Sequence, residues 1–148
     1  MVGSVKERVA AIDLGKVRVG VAISDELGLL AHPRPSLDGK SKKALLSALS
    51  ALAREEQITR FVVGLPLMMS GAKGSAAHRA AEFARELAGA TGIEVELLDE
   101  RLTTVEATRR LRVGGVSRRA ERQLVDGVAA AVMLQSWLDR RSASGAGS

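Results

Sequence analysis

Four acidic residues lie where a β-rich run ends or where the surrounding sequence is apolar. Asp13 ends one such run, Asp99 and Glu100 end another, and Asp126 lies within the apolar stretch LVDGVAAAVML. An ionised carboxylate among apolar side chains needs a partner, because it has lost its hydration. Mg²⁺ and Mn²⁺ prefer oxygen ligands, and a pair of such ions about 4 Å apart can clamp the attacking water and the leaving oxygen of a phosphodiester. The four acids therefore predict a metal site suited to two-metal-ion hydrolysis of ester bonds.

Asp99 and Glu100 are consecutive, so they are not equivalent as ligands. Side chains alternate across a strand, and the two carboxylates should point to opposite faces if both residues are extended. We expect Glu100 to be the metal ligand, because its longer side chain reaches inward from beyond the strand end, and we keep Asp99 as an alternative or supporting ligand. Each acid also has a simpler interpretation, as a turn former, a charge at a helix start or an ion-pair partner of Arg122.

Basic residues accompany these acids along the chain. The formal net charge is +5 and the isoelectric point is near 10.2, which favours an anionic partner such as nucleic acid. The chain has two phenylalanines, one tryptophan and no tyrosine, so we expect contacts with phosphates rather than base stacking. A solvated helix surface explains Arg109, Arg110 and Arg112 equally well. The candidate nucleic-acid-binding residues are Lys16, Arg18, Arg101, Arg118, Arg119 and Arg122.

The hydrophobic pattern predicts the elements that must position these residues. Two β-rich runs at 8–14 and 17–23 have the spacing of a tight hairpin. Further strands are predicted at 29–34, 59–65 and 93–98, and helices at 41–56, 76–88, from Thr103 or Thr104 to about 112, and 118–139. This order predicts an α/β fold, a five-stranded mixed sheet with helices on both faces. We expect one domain over residues 1–140 and a flexible tail at 141–148.

Composition excludes several other classes of protein. The chain has no cysteine and only two histidines, which argues against disulfides and a structural zinc site. No apolar run approaches the roughly 20 residues that a membrane-spanning helix needs. The first residues lack the basic, apolar and small-residue segments of a secretory signal, so we expect a cytoplasmic protein without a membrane partner.

Four segments, in this order and spacing, resemble the YqgF/RuvX family, described as Holliday junction resolvase-like or pre-16S rRNA-processing nucleases. The resemblance covers nearly the whole folded chain, and DERLTT is its most specific part. Two positions depart from the family's loop pattern LP-x-N-M-D-G, where this chain has Met68 and Ser70. The segments are AAIDLGKVRVGVAISD at 10–25, VVGLPLMMSGAKG at 62–74, LLDERLTTVEA at 97–107 and LVDGVAAAVMLQSWL at 124–138.

The resemblance implies a ribonuclease H-like fold and a metal-dependent endonuclease that acts on structured nucleic acid. Its catalytic acids would be Asp13, one of the Asp99–Glu100 pair, and Asp126, with Mg²⁺ or Mn²⁺ as cofactor. The family description ranks processing of the 5′ end of pre-16S rRNA first and cleavage of a four-way DNA junction second. A symmetric junction cut would favour a homodimer, but the sequence shows no clear interface. We therefore expect a monomer or a weak homodimer.

Two other functions compete with the nuclease. The segment DLGKVRVGVAISD also resembles the first phosphate loop of the actin and sugar-kinase superfamily, but that superfamily binds ATP between two such domains. The second competitor is a noncatalytic nucleic-acid-binding module for ribosome assembly, which would bind without a divalent metal and would not cleave. Retention of all four acids argues against the loss of catalysis.

Overall fold

A mixed β-sheet forms the centre of the computed structural model, which describes residues 7–67, 70, 74–102 and 118–143, without the side chains of 102, 118–126 and 143. Within these ranges the strands are β1 (Val9–Leu14), β2 (Arg18–Ser24), β3 (Ala31–Asp38), β4 (Arg60–Leu65) and β5 (Glu94–Asp99), in the order β3-β2-β1-β4-β5. β1 pairs antiparallel with β2 and parallel with β4, and β5 is parallel to β4. The predicted α/β fold with a five-stranded mixed sheet is confirmed, and the strand that carries Asp13 is central.

Three long helices cover the sheet in the described part of the chain. They are α1 (Lys42–Glu56), α2 (Ser75–Thr91) and α3 (Arg118–Ala143), and a 3₁₀ turn, Glu100–Leu102, follows β5 directly. The hydroxyl of Ser41 caps α1 by accepting from the backbone N–H of Ala44, and Gly92 ends α2 in the left-handed conformation. None of these helices combines the length and apolar character that crossing a membrane requires.

Two helix boundaries differ from the prediction, and a third lies outside the described residues. α2 continues to Thr91 rather than ending at 88, because the chain reaches a left-handed glycine only at Gly92. α3 continues to Ala143 rather than ending near 139, so residues 141–143, expected in a flexible tail, are helical. The helix predicted from Thr103 or Thr104 to about 112 and the tail at 144–148 fall outside the description.

The third strand also differs from the prediction, because it continues through both prolines to Asp38. β3 is an edge strand, with β2 as its neighbour on one side. Pro33 and Pro35 are two residues apart, so their nitrogens face the same side of the strand. An edge strand tolerates proline where that side faces away from the ladder, since no hydrogen bond is lost.

Two apolar clusters lie on opposite faces of the sheet. Phe61, Val63 and Leu87 belong to the cluster beneath α1 and α2. The other cluster lies beneath α3 and is rich in small side chains, which include Ala11, Ala22, Ala129 and Ala130. Helices therefore cover both faces, as predicted, and the small side chains let α3 approach the sheet closely.

Gly127 offers a test of how closely α3 approaches β3. A Cβ at this position would lie 3.4 Å from the carbonyl oxygen of Arg34 and 3.5 Å from the Cβ of Pro33, which are ordinary contacts. Gly127→Ala should raise the free energy of unfolding in urea by about 0.5–1 kcal/mol, because alanine favours a helix interior. Gly92→Ala is the matched control and should lower it, because Gly92 has a φ of 72°. A loss of stability in Gly127→Ala would contradict the predicted fit.

Candidate active site

Asp13 lies at the carboxyl end of the central strand, on the face covered by α3. Val9 and Ala11 of the same strand pack in the α3 cluster, and alternation places Asp13 on that face with them. Asp13 is 3% exposed and pairs with Gly20 of β2. The sheet therefore holds this carboxylate rigidly and almost out of contact with solvent.

Glu100 brings a second carboxylate to the same place. Ile12 pairs with Val63, so the next residues along these parallel strands, Asp13 and Gly64, are neighbours about 5 Å apart. Glu100 follows β5 directly, is 8% exposed, and has its carboxylate directly over Gly64. The structure therefore places two buried carboxylates beside each other on the α3 side of the sheet.

Asp99 has a different environment, although it precedes Glu100. The backbone N–H of Arg101 donates to Asp99 Oδ1 at 2.9 Å, and the guanidinium Nη2 donates to Oδ2 at 2.8 Å. The side-chain hydrogen bonds from Arg101 lower the pKa of Asp99 below its ordinary value. The carboxylate of Asp99 thus stabilises the 3₁₀ turn, and the geometry favours Glu100 as the metal ligand.

α3 carries Asp126, the third predicted acid. Hydrogen bonds of two α3 side chains, one at each edge of the sheet, hold this helix in place. Gln135 accepts from the backbone N–H of Ala31 at 2.9 Å, and the Nε1 of Trp137 donates to Glu96 at 2.9 Å. The helical period places position 126 on the same stripe as Met133 and Trp137, which pack on the sheet. The side chain of Asp126 is outside the described part of the structure, so its role stays a prediction.

The predicted cationic residues are only partly described. Lys16 is exposed in the turn between β1 and β2, at the carboxyl end of the strand that holds Asp13, and Arg18 begins β2. Arg101 is exposed and holds Asp99. Ser70 is exposed, whereas Met68 lies outside the described residues. The side chains of three predicted contacts are also outside the description: Arg118, Arg119 and Arg122.

A groove beside β5 adds two cations that the sequence analysis did not single out. Arg140 and Arg141 line it together with Asp99 and Trp137. Arg141 stacks on the ring of Trp137, with the guanidinium carbon 5.0 Å from the ring centre. Both arginines lie one helical turn after Trp137, and this i+3 and i+4 spacing is the signal that would have identified them.

The donor set fits a magnesium or manganese ion. Among the side chains that the structure describes, no three acids or histidines form a group able to hold a metal. Asp13 and Glu100 supply two carboxylates, and neighbouring like charges are favourable only with a cation or proton to offset their repulsion. A site of carboxylate oxygens alone suits Mg²⁺ or Mn²⁺. Asp126, the remaining predicted ligand, would complete it.

Comparison with known sequences gives consistent descriptions. A family model described as "RuvX: Holliday junction resolvase" matches residues 7–140. A protein of Anaeromyxobacter sp. (strain K) named "Putative pre-16S rRNA nuclease" is 47% identical over 135 residues, which are 91% of this chain and 98% of that protein. A protein of the same name from Myxococcus xanthus (strain DK1622) is 47% identical over 132 residues, which are 89% of this chain and 87% of that protein.

Solved structures show the same fold at low sequence identity. "T. thermophilus RuvC in complex with Holliday junction substrate" has a TM-score of 0.58 and 14% identity, and the match covers 93% of this chain and 97% of that one. The Fowlpox virus resolvase, solved in complex with Holliday junction DNA, has a TM-score of 0.51 and 10% identity, with coverage of 90% and 97%. These likenesses concern the fold alone, and they support the ribonuclease H-like arrangement.

The different environments of Asp99 and Glu100 give a direct test of the ligand set. Glu100→Gln should weaken Mn²⁺ binding by at least about tenfold, because loss of even a supporting partner typically costs about 10–100-fold. Asp99→Asn is the matched control and should change Mn²⁺ affinity far less, because the carboxylate of Asp99 is bonded to Arg101. Isothermal titration calorimetry measures both constants. A larger effect of Asp99→Asn would reverse the assignment.

Proposed function

Because the chain belongs to the RuvX family, whose model is described as Holliday junction resolvase, we propose that it is a metal-dependent endonuclease of structured nucleic acid. The supporting observation is the pair of buried carboxylates, Asp13 and Glu100, beside each other on the α3 side of the sheet. Asp126 is the third catalytic acid of the proposal. The reaction is hydrolysis of a phosphodiester bond.

The preferred substrate in this proposal is the 5′ end of pre-16S rRNA. Both bacterial relatives are named for pre-16S rRNA and align with nearly the whole chain, and the 5′ end is the part that the family resemblance implies. A four-way DNA junction is the second candidate, because the family model and the two structural neighbours are described by that substrate. The first substrate also fits the cytoplasmic location and the monomeric or weakly dimeric state expected from the sequence.

The chain's own residues account for positioning and for exclusion of water. When bound, Mg²⁺ or Mn²⁺ supplies positive charge that activates the attacking water and stabilises the leaving oxygen. Asp13 cannot shift without disrupting the central strand, and Glu100 is enclosed between β4 and α3, so both carboxylates are preorganised. Exposed cations that follow the strand ends, such as Lys16 after β1 and Arg101 after β5, would neutralise phosphates that flank the cut.

A cleavage assay with Asp13→Asn tests this function. Labelled pre-16S rRNA and a four-way DNA junction are incubated side by side with Mn²⁺, Mg²⁺ or EDTA. We expect wild type to cut one polymer only with a divalent ion, and Asp13→Asn to lose cleavage while it still binds, since the substitution removes one ligand charge and keeps the volume. The preferred polymer identifies the substrate.

Two results of that assay would contradict the proposal. Binding without cleavage by concentrated wild type would favour the noncatalytic ribosome-assembly module. Cleavage that survives Asp13→Asn would place the chemistry elsewhere. Thermal stabilisation by ATP, measured in parallel, would instead support the ATP-binding alternative.

The exposed cations predict a change in salt dependence. Lys16→Ala combined with Arg101→Ala should flatten the plot of log affinity against log salt by about 0.7–0.9 for each lost phosphate contact. Arg54→Ala is the control. Arg54 is exposed in the last turn of α1, which leads into the amino end of β4, whereas Asp13 lies at the carboxyl end of the neighbouring strand β1. Fluorescence anisotropy with a labelled substrate gives the slopes. Equal slopes for wild type and the double variant would remove both residues from the interface.

A further inference from the structure

Gly64 occupies a strand position where nothing in the backbone conformation requires glycine. It lies in β4 opposite Leu98 of β5. The glycines with positive φ among the described residues are Gly28 and Gly92, so Gly64 has a backbone conformation open to any residue. Glycine inside a strand weakens the strand and often marks a close approach of another group. The reason for glycine here is therefore space rather than torsion.

The space above Gly64 is filled by the carboxylate of Glu100 and by the sulfur of Met133. A Cβ at position 64 would lie 2.6 Å from Glu100 Oε2, 3.2 Å from Glu100 Cδ and 2.8 Å from Met133 Sδ. Distances below about 3 Å are well inside van der Waals contact, so both groups would have to move. By contrast, a Cβ at Gly89 in α2 would meet no atom within 4 Å.

Of the two groups, Glu100 lies nearer to solvent. Met133 is 0% exposed and lies on α3, which is bonded to β3 through Gln135 and to β5 through Trp137. Glu100 is 8% exposed, and it lies in the short turn that follows β5 rather than on an anchored helix. A side chain at position 64 would therefore move the carboxylate away from Asp13 before it moved the helix.

We propose that Gly64 is a positioning residue of the active site: its missing side chain creates the space in which the carboxylate of Glu100 lies beside Asp13 and binds the divalent ion. This inference rests on the proposed function, in which Glu100 is a metal ligand. Gly64 itself touches neither the ion nor the substrate in this proposal. It acts only through Glu100.

The test compares Gly64→Ala with the control Gly89→Ala in the full chain. We expect Gly64→Ala to weaken Mn²⁺ binding by at least about tenfold, the typical cost of disturbing a ligand's support. Gly89→Ala should bind Mn²⁺ as wild type does. Electron paramagnetic resonance of free Mn²⁺ gives the affinities, and circular dichroism checks the fold. Wild-type affinity in Gly64→Ala would overturn the inference.

A double-mutant cycle with Glu100→Asp separates positioning from packing. Aspartate is shorter by one methylene, so its carboxylate does not reach the space over position 64. The loss caused by Gly64→Ala should therefore shrink from tenfold or more to nearly none in the Glu100→Asp background. An equal loss in both backgrounds would show a general packing defect and overturn the inference.

A third variant covers the case in which Gly64→Ala does not fold. Gly64→Ala combined with Met133→Ala removes the conflict with the sulfur and keeps the conflict with the carboxylate. This variant should fold and still bind Mn²⁺ weakly, and wild-type affinity in it would overturn the inference. Metal binding is measured apart from cleavage, so a wild type that binds Mn²⁺ without cutting would overturn the proposed function alone.

Discussion

The central constraint on this structure is the burial of two carboxylates beside each other beneath a helix. Asp13 and Glu100 are 3% and 8% exposed, and burial of like charges is costly without compensation. The two acids also need room, which the sheet provides because position 64 has no side chain. β1 contributes Asp13, the turn after β5 contributes Glu100, and we propose that the glycine in β4 provides the space between them.

Side-chain hydrogen bonds hold α3, the helix that covers the two acids, at both edges of the sheet. Gln135 accepts from the backbone N–H of Ala31, the first residue of β3, and donates to the carbonyl of Leu29 just before this strand at 2.8 Å. At the other edge, Trp137 donates to Glu96 and lies beneath the guanidinium of Arg141. A helix anchored on two sides cannot slide or rotate freely, so Met133 keeps a fixed distance from the acids.

The sequence predicts the fold better than the detail of the site. Apolar runs identified the central strands and the 3.6 period identified the described helices, because these residues are buried in the two clusters. The continuation of β3 through Pro33 and Pro35 was not predicted, because only the strand order shows that β3 lies at an edge. The different environments of Asp99 and Glu100 arise where β5 ends, because Asp99 is its last residue and Glu100 begins the 3₁₀ turn. The role we propose for Gly64 was not predictable from the sequence. A glycine in a strand indicates that a side chain is absent, but it does not indicate which neighbouring residue occupies the space.

Acids and arginines differ in how far sequence can identify them. A buried carboxylate must fit the alternation of a strand or the stripe of a helix, and Asp13 satisfies this requirement with Val9 and Ala11. A surface cation has no such restriction, because a long side chain reaches a phosphate from many backbone positions. Arg140 and Arg141 were therefore missed although they line the groove beside Asp99. We expect selection between RNA and DNA to depend on such exposed surfaces, because one fold serves many substrates.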